Sequence, residues 1–217
     1  MGLFDIFSKS KKTFKDSSVD LIYELLFCDN IDLYKKNTKQ TDIYPWDILF
    51  SEPPDTSGLK RVLEDDNAES RIKILAYNQF TSRGQKIDKK ELLGVIVEVG
   101  LADGLDVLAS FSDGTARYIN QSGKIIVWET MNDNSNALTE RLFKDSEQVV
   151  SQIGPWDKPR RKRPEKGMVR ISFLVSDGLY FGEGPIEVLF NDPIASPALT
   201  TATEMMKFLT EKSIAHQ

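Results

Sequence analysis

Four short runs of alternating apolar residues between residues 92 and 130 constrain this chain most. The runs are joined by Ala102-Asp103-Gly104, Ser112-Asp113-Gly114 and Gln121-Ser122-Gly123. Successive side chains of a strand point to opposite faces, and turns that contain Asp-Gly or Ser-Gly join neighbouring antiparallel strands. The pattern therefore predicts a four-stranded antiparallel meander over residues 92–130.

The segments on either side of the meander have helical spacing. Apolar residues recur three or four positions apart between residues 17 and 28, between 59 and 82 and again between 134 and 153, whereas residues 42–55 are predicted to be an extended, proline-punctuated connector. A second pair of strands is predicted at Met168–Val175 and from Leu179, and Ser196-Pro197 predicts the start of a last helix. The order is N-terminal helices and then β-β-β-β-α-β-β-α. It predicts an α+β fold whose antiparallel sheet carries helices mainly on one face.

The chain of 217 residues is long enough for one large domain or two small ones. Residues 1–16 are expected to form a flexible or amphipathic start, and residues 17–90 a helical region. Residues 91–217 are expected to form the antiparallel α+β region, as one compact unit with 17–90. A chain of this size buries roughly 70% of its unfolded surface, so its core needs no disulfide or metal.

Few residue types suited to bond chemistry are present. The one histidine is His216 and the one cysteine is Cys28, which excludes internal Ser-His-Asp or Cys-His catalysis and multi-cysteine zinc sites. Cys28 is expected to be a small buried hydrophobe. Gly182-Glu183-Gly184-Pro185 does not open a phosphate-binding helix and is predicted to be a flexible turn. We predict no catalytic residue, no metal site and no cofactor.

Carboxylates are the remaining catalytic option. The candidates on or near the predicted strands are Glu98, Asp106, Asp113, Asp177 and Glu183. Two of them could form an acid–base pair or hold a divalent cation. Such residues more often belong to the solvated face of a sheet, and an aspartate before glycine is ordinary turn chemistry. A carboxylate-dependent enzyme or a small-ligand-binding protein is therefore the alternative prediction.

Charge is unevenly distributed along the chain. The net charge is −5, although residues 1–17 and 157–170 are each net basic. An acidic body repels phosphate backbones, so nucleic acid is not an expected partner. The run Arg160-Arg161-Lys162-Arg163 has one nearby aromatic residue, Trp156, and is predicted to be a solvated loop.

The sequence favours a cytoplasmic location. No apolar run approaches the roughly 18 residues that span a bilayer, and the start does not resemble a secretory signal. Leu3, Phe4 and Phe7 share one helical face and are followed by lysines. Residues 3–15 are therefore a candidate for weak contact with an anionic membrane surface. The favoured alternative is that these phenylalanines pack on the body of the protein.

Two features are typical of recognition. Pro45-Trp46-Asp47 and Pro155-Trp156-Asp157 repeat one tripeptide, and Tyr180-Phe181-Gly182-Glu183-Gly184 places two aromatic residues beside glycines. Aromatic residues near loops often anchor partners. The candidate binding residues are Trp46, Asp47, Trp156, Tyr180, Phe181 and Glu183. The alternative, which is at least equally favoured, is that both tryptophans close the ends of the core, because tryptophan is highly buried on average.

Several segments also carry a resemblance to a family. They are Tyr44-Pro45-Trp46, Glu69-Ser70-Arg71, Leu92-Leu93-Gly94-Val95, Gly104-Leu105-Asp106, Arg117-Tyr118-Ile119-Asn120, Gly123-Lys124, Ile153-Gly154-Pro155-Trp156 and residues 176–185. Through them the chain after residue 40 resembles a family of uncharacterised conserved bacterial proteins. The resemblance implies a bacterial source and assigns no activity or functional residue.

Together these observations predict a non-catalytic cytoplasmic bacterial protein that binds a protein partner, as an adaptor, a chaperone or an immunity-type inhibitor.

Overall fold

A computed structural model describes residues 13–53, 55–130 and 132–215. Its strands are β1 (Leu92–Gly100), β2 (Leu105–Phe111), β3 (Ala116–Ile119), β4 (Ile125–Trp128), β5 (Met168–Val175) and β6 (Gly178–Pro185). They form one antiparallel sheet in the order β4-β3-β2-β1-β5-β6. The predicted meander is confirmed as β1 to β4, and the hairpin of β5 and β6 adds to the free side of β1.

Helices precede, interrupt and follow the sheet. They are α1 (Ser17–Leu25), α2 (Ile31–Asn37), α3 (Trp46–Leu49), α4 (Thr56–Glu64), α5 (Ser70–Ser82), α6 (Asp133–Val150), α7 (Ile186–Leu189) and α8 (Ala195–Ala215). The predicted α+β class is confirmed. Helices α1 to α5 contribute to a core cluster on one face of the sheet, whereas α6 and α8 contribute to a second cluster on the other. The expectation that helices cover mainly one face is therefore wrong.

The central strand β1 shows why both faces are covered. Ile96 belongs to the core cluster of the first five helices, and its neighbours Val95 and Val97 belong to the cluster of α6 and α8. All three are buried. The sequence of a strand that is buried on both faces is a nearly continuous run of apolar residues. That run, in place of an apolar–polar alternation, is the sequence signal for a second layer of helices.

The start of α5 depends on a residue that is distant in sequence. Asp113 lies in the turn between β2 and β3, where its Oδ2 accepts from the Ser70 N–H at 2.8 Å. The Asp113 N–H donates to Ser70 Oγ at 2.9 Å. Burial alone would raise the pKa of Asp113, but the hydrogen bonds from Ser70 and Thr115 lower it below its usual value. The turn therefore caps a helix as well as reversing the chain.

Other predictions are wrong in detail. The segment over residues 42–55, predicted to be extended, contains the helical turn α3. Gly182–Pro185 is part of β6, where Gly182 pairs with Ile171, and is not a flexible turn.

His216 and residues 3–12 of the candidate membrane-contact segment lie outside the described residues. Within the described ranges, no helix combines the length and the apolar character that crossing a membrane requires.

Candidate binding site

The two copies of Pro-Trp-Asp lie in two separate places. Trp46 begins the short helix α3 and lines a cavity of about 520 Å³, which we name the Trp46 cavity. Trp156 begins an irregular segment, residues 156–166, between α6 and β5, which we name the Trp156 loop.

Packing of α3 fixes the Trp46 ring. Ile48 and Leu49 are buried below the helix, and Gln79 of α5 donates to the Leu49 carbonyl at 2.9 Å. The Trp46 ring stacks on Phe50, with 5.2 Å between ring centroids, and more loosely on Tyr34 at 6.1 Å. Helix α3 is thus anchored to two neighbouring helices, which leaves the indole half-exposed at the cavity wall.

The Trp46 cavity lies between α2, α3 and the connection from α4 to α5. Its lining includes three aromatic residues, two acids and one arginine: Tyr34, Tyr44, Trp46, Asp65, Glu69 and Arg71. A volume of 520 Å³ lies within the range of about 300–1,000 Å³ that is typical of ligand sites.

Hydrogen bonds orient the polar groups at this wall. The Tyr44 hydroxyl donates to Asp65 Oδ2 at 2.6 Å. That bond lowers the pKa of Asp65, and partial burial together with Asp65 raises the pKa of Tyr44 to about 12. Arg71 Nη2 lies 3.1 Å from Glu69 Oε2. Asp47 is exposed, and its charge helps to raise the pKa of the Tyr44 hydroxyl, but it is not one of the residues that line the cavity.

The Trp156 loop is tied to the edge strand β6. The Trp156 N–H donates to the Leu179 carbonyl at 2.7 Å, and its indole Nε1 donates to the Pro159 carbonyl at 3.1 Å. The ring meets Phe181 edge to face with 5.1 Å between centroids. The Arg161 guanidinium lies 5.5 Å from the centroid of the indole ring. This tryptophan is thus already surrounded by groups of its own chain.

A row of charged residues crosses three strands beneath the Trp156 loop. Glu98, Arg170 and Glu183 are register partners on β1, β5 and β6. Arg170 Nη1 lies 3.3 Å from Glu98 Oε2, and Arg170 Nε donates to Glu183 Oε2 at 2.6 Å. The Tyr23 hydroxyl donates to Glu98 Oε1 at 2.7 Å. Burial raises the pKa of Glu98, although Arg170 and Tyr23 act in the opposite direction.

The basic run lies in a loop, as predicted, and Arg161, Lys162 and Arg163 are exposed, but the run is also bound to the rest of the fold. Arg170 donates to the Arg161 and Lys162 carbonyls. Arg160 forms ion pairs with Glu24 and Asp29, and its guanidinium lies 3.8 Å from the Phe27 ring centroid. The backbone carbonyls of Arg161 and Lys162 therefore accept hydrogen bonds from the buried Arg170, and the Arg160 side chain forms ion pairs within the protein.

The predicted binding residues on β6 face opposite ways. Phe181 is half-buried beside Trp156. Tyr180 is 1% exposed in the core cluster of α6 and α8, and its hydroxyl donates to Asp177 at 2.9 Å. Its ring is therefore closed to a partner, which corrects the prediction. Glu183 is 18% exposed at its side chain and held by Arg170 and Arg161.

The carboxylates considered for catalysis are likewise engaged. Glu98 is 0% exposed and bound as described above. Asp106 accepts from the Tyr118 hydroxyl at 3.1 Å and from the Gln121 N–H at 2.7 Å. The expectation that strand carboxylates belong to the solvated face is wrong for Glu98. Each of these groups already has a structural partner.

Sequence reasoning missed most of the Trp46 cavity. It named Trp46 and Asp47 but not Tyr34, Asp65 or Arg71, which come from α2, the α4–α5 connection and α5. Those residues are up to 37 positions apart in the sequence, and no spacing rule joins them. Tyr44 was quoted as part of a motif, but no role could be assigned to it.

Two further kinds of site are a reactive cysteine and a metal centre. Cys28 is buried, and burial raises the pKa of its thiol to about 12, so it is a small buried residue as predicted. Among residues 13–53, 55–130 and 132–215, no group of three or more His, Cys, Asp or Glu side chains is placed to hold a metal ion.

Comparisons of the chain with protein-family models and with curated proteins gave no match, so the family resemblance stays a prediction.

Proposed function

We propose that this is a non-catalytic cytoplasmic bacterial protein that binds a protein partner through the Trp46 cavity. The observation that carries the proposal is the cavity itself: a concave wall of three aromatic residues with polar groups held in place by hydrogen bonds. Aromatic and arginine side chains are the residue types most enriched at energetically important positions of protein interfaces.

The rim favours a macromolecule over a small ligand. Ile43 is 47% exposed and precedes Tyr44 in the chain, and Tyr44, which lines the cavity, is 44% exposed. Exposed apolar side chains around a cavity give a partner additional apolar area to bury. A small molecule held inside the cavity would leave Ile43 in water.

The enzyme alternative receives less support from the site. It depends on accessible carboxylates, and Glu98, Asp106 and Glu183 are each bound by groups of the protein. Asp65 and Glu69 remain at the cavity, each with a hydrogen-bond donor in place. Both carboxylates are therefore better suited to recognition than to proton transfer.

The proposal is tested by closing the cavity. Asn37 is exposed at the end of α2 and lines the cavity, whereas its neighbour Lys36 is exposed and does not. Immobilised wild-type protein, Asn37→Trp and Lys36→Trp are incubated with lysate of the source cells at low salt. We expect a protein that is retained by the wild type and by Lys36→Trp and is lost with Asn37→Trp.

Two results would contradict the proposal. One is that Asn37→Trp retains the same protein as the wild type, and the other is that the wild type retains none. A photo-crosslinking residue placed at Ile43 gives a direct check, because it should join the retained protein, whereas the same residue at the exposed Val188 should not.

A further inference from the structure

We infer that two copies of this chain form a dimer by pairing their β4 strands side by side, so that the two six-stranded sheets continue as one. No residue of β4 lines the Trp46 cavity, and the inference does not depend on the proposed function. Its structural basis is an open sheet edge whose hydrogen-bonding groups and end charges match those of a second copy.

Strand β4 lies at one edge of the sheet, with β3 as its neighbour. An edge strand presents a row of unpaired N–H and C=O groups on which another strand can add. The strand at the opposite edge, β6, is flanked by the Trp156 loop, whose Trp156 N–H donates to the Leu179 carbonyl at 2.7 Å. The edge at β4 is therefore the one that is open along its length.

The register of β3 and β4 shows which backbone groups face outward. The Asn120 N–H donates to the Lys124 carbonyl at 3.0 Å, so this pair and every second pair along the hairpin exchange hydrogen bonds. Ile125 and Val127 belong to the pairs in between, and their N–H and C=O groups point away from β3. Within residues 13–53, 55–130 and 132–215, no other backbone segment pairs with them.

The side chains of β4 do not protect this edge. Ile125-Ile126-Val127-Trp128 contains no charge or proline, and its register with β3 has no bulge, although these are common means of blocking an edge. Val127 is 54% exposed. Trp128 packs edge to face on Phe208 of α8, with 5.2 Å between ring centroids. The edge is therefore apolar and fixed in position.

A second copy fits this edge in the antiparallel direction. A two-fold axis at Ile126 places Ile125 of one copy opposite Val127 of the other, so the outward N–H and C=O groups of both residues find partners. The same axis brings Lys124, before the strand in one copy, towards Glu129, after the strand in the other. Because opposite charges then meet at both ends, a second copy fits better than an unrelated strand.

The contact should be weak because β4 is short. Strand Ile125–Trp128 has four residues, and interfaces that bury less than about 1,200 Å² are typical of weak association. We expect the full chain to be monomeric at about 10 µM and largely dimeric at about 1 mM. Sedimentation equilibrium over this range measures the association.

A matched pair of variants tests the role of the outward N–H. Val127→Pro removes that group and should weaken association by about tenfold or more. It should keep the urea midpoint of the wild type, because the lost N–H does not face β3. Val127→Thr keeps the N–H and a β-branched side chain, so it should change association by less than about threefold.

Cross-linking identifies the surface, and it decides the question if Val127→Pro fails to fold. Cys28 is buried, so a new surface cysteine is the group that reacts. At about 1 mM, a short bismaleimide should join two copies of Val127→Cys, because the pairing brings these residues together. It should not join copies of Val188→Cys, although Val188 is also exposed.

Several results would overturn the inference. One is a chain that stays monomeric up to about 1 mM, and another is a folded Val127→Pro protein that associates like the wild type. Assemblies that grow beyond the dimer would also contradict it, because a two-fold contact closes on itself. If Val127→Cys cross-links to a protein of the source-cell lysate and never to a second copy, the edge accepts a strand of that protein and the dimer is wrong.

Discussion

Trp46 and Trp156 stand in identical Pro-Trp-Asp tripeptides, yet their rings have different neighbours and border different amounts of empty space. Trp46 lines an open cavity with Asp65, Glu69 and Arg71 on its wall. Trp156 lies beneath Arg161, against Phe181, in a loop fixed by its own backbone hydrogen bonds. The comparison teaches that a tripeptide supplies an aromatic ring, whereas the neighbours brought by the fold decide whether that ring is available.

The energetic roles of the two regions should differ accordingly. The Trp156 loop covers a buried ion network, so changes there should act mainly on stability. The Trp46 cavity holds unfilled volume, so changes at its rim should act mainly on binding. Four predictions test this division, from the largest expected effect to the smallest.

Arg170→Met should have the largest effect on stability. Arg170 is 2% exposed and holds Glu98, Glu183 and two loop carbonyls. Removing one partner of a buried ion pair leaves a buried charge without compensation and costs about 3–5 kcal/mol. Urea denaturation measures the loss. Lys162→Met is the control, because Lys162 contributes its backbone carbonyl to Arg170. Equal losses in both variants would mean that the network does not hold the loop.

Gly100→Ala should follow. A Cβ at Gly100 would lie 2.0 Å from the Glu165 carbonyl oxygen, so the backbone of the Trp156 loop must move. Forcing extra atoms into a packed region costs about 1–3 kcal/mol. Gly154→Ala is the matched control just before the loop, because a Cβ there meets no atom within 4 Å. Thermal unfolding of both variants measures the loss. A Gly100→Ala protein as stable as the wild type would contradict the close approach of the Trp156 loop to the sheet.

Glu98→Gln should change how stability depends on pH. Burial raises the pKa of Glu98 in the folded protein, so the folded state binds a proton more readily than the unfolded state does. The stability contributed by this group is therefore full below the unfolded pKa and is lost as the pH rises through the folded pKa. Urea denaturation across that window should show wild type losing stability relative to Glu98→Gln with rising pH. A constant difference between the two proteins would contradict the raised pKa.

The same substitution at the two tryptophans should give the smallest difference. Trp156→Phe removes the hydrogen bond from Nε1 to the Pro159 carbonyl and should cost about 0.5–1 kcal/mol. Trp46→Phe retains an aromatic ring between Tyr34 and Phe50 and should change stability by less than about 0.5 kcal/mol. Denaturant midpoints of the two variants, compared side by side, measure this. A larger loss of stability in Trp46→Phe than in Trp156→Phe would mean that Trp46, and not Trp156, contributes more to the stability of the fold.

Much of the fold could be read from local patterns. The turns at residues 102–104, 112–114 and 121–123 predicted the meander because hairpin pairing is a short-range property. The layer of α6 and α8 was placed wrongly, because the prediction rested on the usual segregation of helices to one face of an antiparallel sheet. The buried state of both faces became visible only from the packing.

The candidate site was less accessible to prediction. Trp46, Asp47, Trp156 and Phe181 were named because aromatic residues near bends often bind, but this argument cannot separate a surface ring from a buried one. Tyr180 and Phe181 are adjacent, and strand geometry sends one into the core and the other to the loop. Which of the two is closed to a partner depends on the helices that cover each face.

The amino-acid sequence by itself determined the strand pairing of the meander, the α+β class and the shortage of histidine and cysteine. These follow from spacing, turn residues and counts, which act over short distances or need no distance at all. Only the tertiary structure decided that Arg170 joins Glu98 to Glu183 and that Tyr34, Trp46 and Asp65 meet at one cavity. Such contacts join residues far apart in the chain, and they form because burial of apolar surface brings whole helices and strands together.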